Sequence, residues 1–417
     1  MTQNSPQTAV QNFAELGIAP ALYNSLLKLN LTVPTPIQQK TIPIALEGKD
    51  VVGIAQTGTG KTLAFGLPMI QRLNQIKGCG LVILPTRELA LQVDEALYKV
   101  GAAVGLRTAV VIGGAPMGAQ IRALNRNPHI IIATPGRLND HLQQRTVRLN
   151  NVVIVVLDEA DRMLDMGFAP QIKSILQVVS PERQTMLFSA TMPVEILTMA
   201  KTYMKLPIQI EVAPTGTTVE KVTQEIFIIP QQDKFPLLEK ILTQYKGSIL
   251  IFTRTKHGAK KLNESIQSLG YTANEIHSNR SLGQRREALT GFKTGKYRVL
   301  VATDVASRGV DVVGIELVIN YDLPENSEDY VHRIGRTARA GAVGHAISFA
   351  TPYQRGELRD IERLVRKNIP ISKTPELPPM RKGLTQQKTE MPRRRENTAP
   401  KNRDDYRSYR FHKPRRY

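Results

Sequence analysis

The stretch Ala55-Gln56-Thr57-Gly58-Thr59-Gly60-Lys61-Thr62 follows the apolar run Val51-Val52-Gly53-Ile54 and precedes a helix-like segment. A β-branched run that breaks into closely spaced glycines and then Lys-Thr predicts a strand, a tight turn and a helix N-terminus. In such a turn, backbone N–H groups cradle the β- and γ-phosphates of a nucleotide, the Lys61 ammonium adds a point charge, and the Thr62 hydroxyl is placed to ligate a metal ion. Ala55 occupies the first position of the general pattern, where glycine is usual. The substitution costs little, because the cradle needs its freedom at Gly58 and Gly60.

About a hundred residues later, Val152-Val153-Ile154-Val155-Val156-Leu157 ends in Asp158-Glu159-Ala160-Asp161. Six apolar residues mark a strand buried on both faces, so the two acids stand at its lip, where ligands of parallel sheets bind. Asp158 would hold the Mg²⁺ that Thr62 also meets, and Glu159 would orient or deprotonate an attacking water. Together the two segments read as the centre of a nucleoside triphosphatase.

The chain around them has 417 residues, enough for two ordinary domains and a tail, and 41% hydrophobic residues to build their cores. Its formal charge of +20 implies a polyanionic partner, nucleic acid first. The charge is concentrated: Glu376–Tyr417 holds thirteen Lys/Arg against five Asp/Glu. Cys79 is the one cysteine, which rules out an intrachain disulfide and fits a reducing compartment. Beside the strand-like Leu81-Val82-Ile83-Leu84 it reads as filler, not as a nucleophile. Residues 1–12 lack the charged and apolar regions of a secretory signal, and no apolar run is long enough to span a membrane. A cytoplasmic protein without a membrane partner is expected.

Short β-branched runs alternate with helical patterns twice over. Strands are predicted at 51–55, 81–84, 108–112, 129–133, 151–157 and 184–188, with helices such as Arg87–Val100 and Pro116–Leu124 between them. A stretch from Pro207 to Thr223, with Pro214 and Gly216, reads as a linker. A second series follows at 225–229, 248–252, 272–277, 298–302, 316–320 and 346–350, with helices such as 255–269 and a closing helix at 357–367. The fold class is α/β: two tandem doubly wound parallel-sheet domains. The divisions are residues 1–46 (N-terminal helices), 47–208, a linker at 209–223, 224–368, and a basic tail at 369–417 whose proline-rich, aliphatic-poor composition predicts disorder.

The second domain offers charge for a γ-phosphate in His332-Arg333-Ile334-Gly335-Arg336-Thr337-Ala338-Arg339. Arginines at 333, 336 and 339 have i, i+3 spacing, which on a helix would aim them in nearly one direction. An arginine finger contributes on the order of 10³ to 10⁵ in rate.

With Ala302-Thr303-Asp304-Val305-Ala306-Ser307-Arg308-Gly309-Val310-Asp311 preceding that run, the chain resembles the DEAD-box RNA helicases from Phe13 to about Arg366. The run Asp158–Phe168, the short N-terminus and the basic tail are similar to the bacterial RhlE-type branch. The resemblance implies two RecA-like domains, ATP and Mg²⁺ as cofactors, and RNA-stimulated ATP hydrolysis. It implies that Phe13 and Thr35-Pro36-Ile37-Gln38 read adenine, with Gln38 selecting ATP, and that Asp311 binds the ribose. Arg336 and Arg339 would contact the γ-phosphate, and Ser189-Ala190-Thr191 would couple hydrolysis to strand separation. Leu31 departs from the family, which commonly stacks an aromatic residue on the base seven positions before that glutamine. Ala338 stands where glycine is frequent, Leu282 where glutamine usually precedes Arg285 by three, and Ser278 where glycine commonly follows the histidine.

For RNA, the resemblance points to Pro85, Arg87, Gly113, Gly114, Thr134, Gly136, Arg137, Arg285 and Thr303. Glycines admit a phosphate to the backbone, helix N-termini offer donors, and arginines pair with phosphate oxygens. Such contacts read no bases, so binding should be independent of sequence and sensitive to salt. The tail interleaves Arg393-Arg394-Arg395, Tyr406, Tyr409, Arg410, Phe411 and Tyr417, which suits tethering of single strands. The expected activity is an ATP-dependent RNA helicase acting as a monomer on structured or duplex RNA. The alternative is an ATP-gated RNA clamp or annealing chaperone with little unwinding. Ribosome-assembly and RNA-degradation proteins are the candidate protein partners.

Overall fold

The structure is a computed structural model that describes residues 12–56, 58–212, 222–304, 312, 314–338 and 344–378. Its first sheet contains β1 (Val51–Ile54), β2 (Cys79–Ile83), β3 (Thr108–Val111), β4 (Ile130–Ala133), β5 (Val152–Leu157), β6 (Gln184–Ser189) and β7 (Ile208–Glu211). They are ordered β3-β4-β2-β5-β6-β1-β7, with every pairing parallel. The second sheet contains β8 (Val222–Ile228), β9 (Ser248–Phe252), β10 (Ala273–Ile276), β11 (Val299–Ala302), β12 (Ile315–Asn320) and β13 (Gly344–Ala350). Its order is β10-β11-β9-β12-β13-β8, again parallel throughout.

Alternating side chains explain why these segments become two-sided strands. Ile130 and Ile132 join one apolar cluster while Ile131 joins the cluster on the opposite face, and Ile154 and Val156 alternate with Val155 and Leu157 in the same way. The second sheet repeats the arrangement, with Leu250 and Phe252 on one face and Ile249 and Ile251 on the other. Strands that must be apolar on both sides need covering helices on both sides, which is the source of the βα alternation. Polar caps start those helices at the sheet's carboxyl edge. Thr86 accepts from Leu89 N at the start of helix Arg87–Gly101, and Ser281 from Gln284 N at the start of helix Leu282–Lys293.

Three expectations change. The segment read as linker from 209 begins inside β7, which pairs with β1 from Val51↔Ile208 to Ile54↔Glu211. Four residues, too few for a strong alternation signal, become a strand because the edge of β1 needs backbone partners. The tail read as disordered from 369 instead runs beside β8 at first: Ile226 N donates to Pro370 O, Ser372 N to Ile226 O, and Leu377 packs on the second domain's core. Finally, the helix expected to carry Arg333, Arg336 and Arg339 on one face ends at Ile334, with Gly335 as its C-cap and Ala338 left-handed at φ 56. Arg336 therefore lies beyond the helix, and Arg339 lies outside the described residues.

Candidate nucleotide and nucleic-acid site

Parallel strands all end at one edge, so the loops after them collect the polar residues. The loop after β1 turns through Gly58 and Gly60, at φ 87 and 93, into helix Lys61–Leu73. A Cβ on Gly60 would collide with the Gln38 amide and crowd Thr35, so glycine is required there by contact as well as by φ. Lys61 is buried, with Nζ donating to Ala55 O at 3.0 Å and 4.0 Å from Asp158 Oδ1. Thr59 Oγ1 donates to Gln56 O at 2.7 Å. Thr62 follows Lys61 in the first turn of the helix, while Thr57 lies outside the described residues.

Gln38 is buried in the helix Pro36–Leu46 and joins two elements. Its Oε1 accepts from Thr35 N at 2.8 Å and its Nε2 donates to Gly60 O at 2.9 Å. A primary amide has a second lone pair and a second N–H, so capacity for a base edge is left. Phe13, named with the adenine-reading element, is buried in the first domain's core. It anchors the N-terminal segment. Leu31, at 38% exposed, is one of the apolar side chains at the surface near that element, with Leu27 and Val33.

After β5, Asp158 and Glu159 are both buried. Burial pushes the Asp158 carboxyl up to about 6; Lys61 pulls against this, while Glu159 and Asp161 push with it. Glu159 is left-handed, φ 51 and ψ 50, a conformation costing a non-glycine residue about 1–2 kcal/mol. Its N–H donates to Asp158 Oδ1 at 2.9 Å, and Arg162 Nε lies 3.8 Å from Glu159 Oε2. These contacts hold the strained turn and aim the acid.

Asp161 Oδ2 accepts from Ala190 N, Thr191 N and Thr191 Oγ1 at 3.0, 2.9 and 3.1 Å, and Asp161 N donates to Ser189 Oγ at 3.3 Å. Ala55 N in turn donates to Ser189 O. A continuous network thus runs from the phosphate turn through Ser189 and Thr191 to the acidic lip.

The RNA candidates converge as well. Pro85, Arg87, Gly113, Gly114, Gly136 and Arg137 line one cleft of about 500 Å³, with Thr134 beside them. Arg87 lies across the two glycines so closely that a Cβ on either would touch its guanidinium. From the second domain come Ser278 and Arg285, but Arg285 is not displayed as a free cation. It is 7% exposed and its Nη2 donates at 2.7 Å to Glu88 Oε2, itself 6% exposed. Burial pushes the Glu88 carboxyl up, and Arg285, its own backbone amide and Arg87 pull it back. Glu88, beside Arg87 in the sequence, was not among the residues expected at this cleft. Its signal was an acid in a cleft otherwise read as a phosphate groove. Leu282, one turn before Arg285, packs on the first domain's apolar cluster, so this departure from glutamine makes an apolar contact between the domains.

Thr303 is set apart from that cleft: it is buried at the end of β11, its N–H on Ile276 O. Arg333, read with the finger arginines, is committed inside its own domain, donating to Asp304, Asn320 Oδ1 and Asp322 O with its guanidinium over Phe252. Arg336 is buried and shares a narrow gap with Arg162 of the first domain and with His332. Asp311 and Arg339 lie outside the described residues. Among the described residues, no helix is long and apolar enough to cross a membrane.

Two α/β sheets with a phosphate turn on the first define a class, the two-domain nucleotide-binding proteins of RecA-like fold. The profile of the DEAD/DEAH box helicases matches residues 35–199, and that of the helicase conserved C-terminal domain matches 233–341. The chain is 45% identical over 368 residues to the DEAD-box ATP-dependent RNA helicase CshA of Geobacillus kaustophilus, covering 88% of this chain and 79% of that one. Among solved structures it is similar to Dbp5 of S. cerevisiae bound to RNA and ADP BeF3, with 28% identity, a TM-score of 0.77, and coverage of 87% and 95%. It is likewise similar to Mss116p bound to ssRNA and AMP-PNP, with 27% identity, a TM-score of 0.82, and coverage of 90% and 82%. The chain belongs to the DEAD-box ATP-dependent RNA helicase family.

Proposed function

We propose that this protein binds RNA along its backbone and locally separates short duplexes, using RNA-stimulated ATP hydrolysis. The observation that carries the reading is that one sheet edge bears both chemistries. Lys61, Asp158 and Glu159 stand after β1 and β5, and the residues around Arg87, Gly113 and Arg137 stand after β2, β3 and β4. A nucleotide-driven movement of the second domain would therefore bear directly on the strand held in the cleft.

The roles follow from the family resemblance together with the chemistry of the residues. Lys61 and the backbone of residues 55–60 hold phosphate, Gln38 holds the base edge, and Asp311 the ribose. Glu159 takes or orients the proton of the attacking water. Arg336 and Arg339 supply positive charge to the γ-phosphate, and Ser189 with Thr191 transmits change at the acidic lip through Asp161. A divalent cation fits this lip, where a buried carboxylate cluster meets one lysine. Among the described residues no group of three or more His, Cys, Asp or Glu is arranged to enclose a metal, so Asp158 and Thr62 would share Mg²⁺ with phosphate oxygens and water. When bound, the ion would supply charge neutralisation at the phosphates.

The working divisions are proposed as N-terminal helices to residue 46, a first domain extended through β7, and a second domain extended past residue 368 to the segment along β8. Placement in the RhlE-type branch draws on the Asp158–Phe168 run and the basic tail, whereas the curated relatives carry the name CshA. Action in the cytoplasm rests on composition, whereas action as a monomer and partners in ribosome assembly or RNA decay are expectations that composition does not supply.

The test is ATP hydrolysis with and without single-stranded RNA, and separation of a short duplex. The expected result is RNA stimulation that Lys61→Ala and Glu159→Gln each reduce by more than about a hundredfold. A rate indifferent to RNA would reject the reading, and strand annealing without separation would favour the clamp.

A further inference from the structure

Arg162 directly follows the acidic lip and stands one helical turn from Glu159, with Nε 3.8 Å from Glu159 Oε2 and both side chains buried. A guanidinium that deep in a protein needs a counter-charge, and the Glu159 carboxylate supplies it. What keeps water from the pair comes from the other half of the chain. Arg162 borders a gap of about 10 Å³ whose other walls are Phe252, Asp304, Asp329, His332, Arg333 and Arg336, all of the second domain. That volume is at the lower limit for one water molecule. Asp304 is taken by the Arg333 guanidinium, and neither Nη of Arg162 is hydrogen-bonded to Asp329. The second domain therefore dries the surroundings of Arg162 without drawing it away from Glu159.

The strength of an ion pair depends on its surroundings. At the effective dielectric of a protein boundary two charges attract about four times as strongly as in bulk water. With the second domain seated, Arg162 is dry and fixes the carboxylate. With it withdrawn, water reaches Arg162, and the left-handed turn at Glu159, φ 51, loses much of the hold on its side chain. A general base must lie within hydrogen-bonding reach of the proton it takes, so a loosened carboxylate is a poor one. We propose that Arg162 is a positioning residue through which closure of the two domains sets the orientation of Glu159, so that water is activated in the closed form. Its part is indirect, since it acts on the reacting atoms through Glu159. This deepens the reading above and rests on it: RNA stimulates hydrolysis because the closed form it favours is the one in which Glu159 is aimed.

The experiment follows single-turnover ATP hydrolysis by the full-length protein with saturating oligouridylate. Beside it, affinities for the oligouridylate and for a non-hydrolysable ATP analogue are measured, and closure is read by energy transfer between dyes on the two domains. Arg162→Ala should lower the RNA-stimulated rate about tenfold, the cost of a misplaced base, and leave both affinities and closure within about twofold of wild type. Arg162→Lys, which keeps a cation there, should recover part of the rate. Arg162→Ala combined with Glu159→Gln should hydrolyse at the rate of Glu159→Gln alone, because an arginine that acts through the carboxylate then has nothing left to orient. A folded Arg162→Ala protein with the wild-type rate overturns the proposal while leaving the helicase reading in place. So does a double variant whose two losses multiply, or a loss of closure in Arg162→Ala, which would make the arginine a link between domains. If Arg162→Ala does not fold, Arg162→Lys takes its place in the combination with Glu159→Gln, and multiplied losses overturn the proposal there too. A wild-type rate indifferent to RNA overturns the functional reading instead.

Discussion

Gln38 Nε2 donates to Gly60 O at 2.9 Å, linking the first turn of one helix to the residue on which the phosphate turn pivots, twenty-two positions along the chain. The same amide accepts from Thr35 N. An element expected only to read the base is thus also part of the wall of the phosphate site, so base occupancy and the shape of the turn are coupled through one side chain.

Gln38→Glu is the informative variant. It keeps the acceptor for Thr35 N but places an oxygen against Gly60 O, removing one hydrogen bond and adding repulsion. Two such effects of about 1 kcal/mol each should weaken ATP binding by roughly tenfold or more. Calorimetric titration with ATP checks this, and wild-type affinity in the variant would show that the link is incidental.

Ala338→Gly should stabilise the protein. The alanine sits at φ 56, and glycine relieves about 1 kcal/mol of left-handed strain. In a domain of this size that corresponds to a rise of about 2–4 °C in Tm by calorimetry. A fall in Tm would mean that the alanine methyl packs well enough to offset its backbone.

The contact between domains should weaken as pH rises. Burial pushes the Glu328 carboxyl up, and Asp165, Asp161 and Asp329 push it further. The first two belong to the first domain, so bringing the domains together raises this pKa above the ordinary carboxyl value of 4.5. A raised carboxyl stabilises the joined arrangement fully below that value, and the contribution disappears as pH climbs through the raised one. Glu328→Gln should favour domain closure at pH 7.5, modestly because Glu328 is exposed, and match wild type near pH 4.5. Energy transfer between dyes on the two domains reads this out; equal closure at pH 7.5 would discount the repulsion.

Cys79 should be inert in the native protein. It is buried in β2, and burial pushes its thiol up to about 12, leaving almost no thiolate at neutral pH. Iodoacetamide should label it at least a hundredfold faster after unfolding in guanidinium. Comparable native labelling would indicate that β2 opens readily.

How much of this was legible beforehand depends on where the relevant partners lie in the chain. All twelve strands read from periodicity exist, because alternate burial on two faces leaves its pattern in consecutive residues such as Ile130-Ile131-Ile132. β7 and the pairing at Ile371 escaped notice because their stability comes from the edges of β1 and β8, not from their own residues. Spacing misjudged the arginines at 333 and 336: a helical interval has meaning only while the helix lasts, and it ends at Ile334.

The order of residues by itself determined the class of fold, the phosphate turn with its Lys61 and Thr62, and the acidic lip, since each is a local pattern dictated by backbone freedom and strand burial. Tertiary structure alone decided that Phe13 is core, that Gln38 holds Gly60, and that Arg285 closes on Glu88, 197 positions away. The physical reason is range. Periodicity and turn chemistry act over a few neighbours and are written consecutively, whereas the partner of a buried charge is chosen by whichever distant group the folded chain brings within hydrogen-bonding distance.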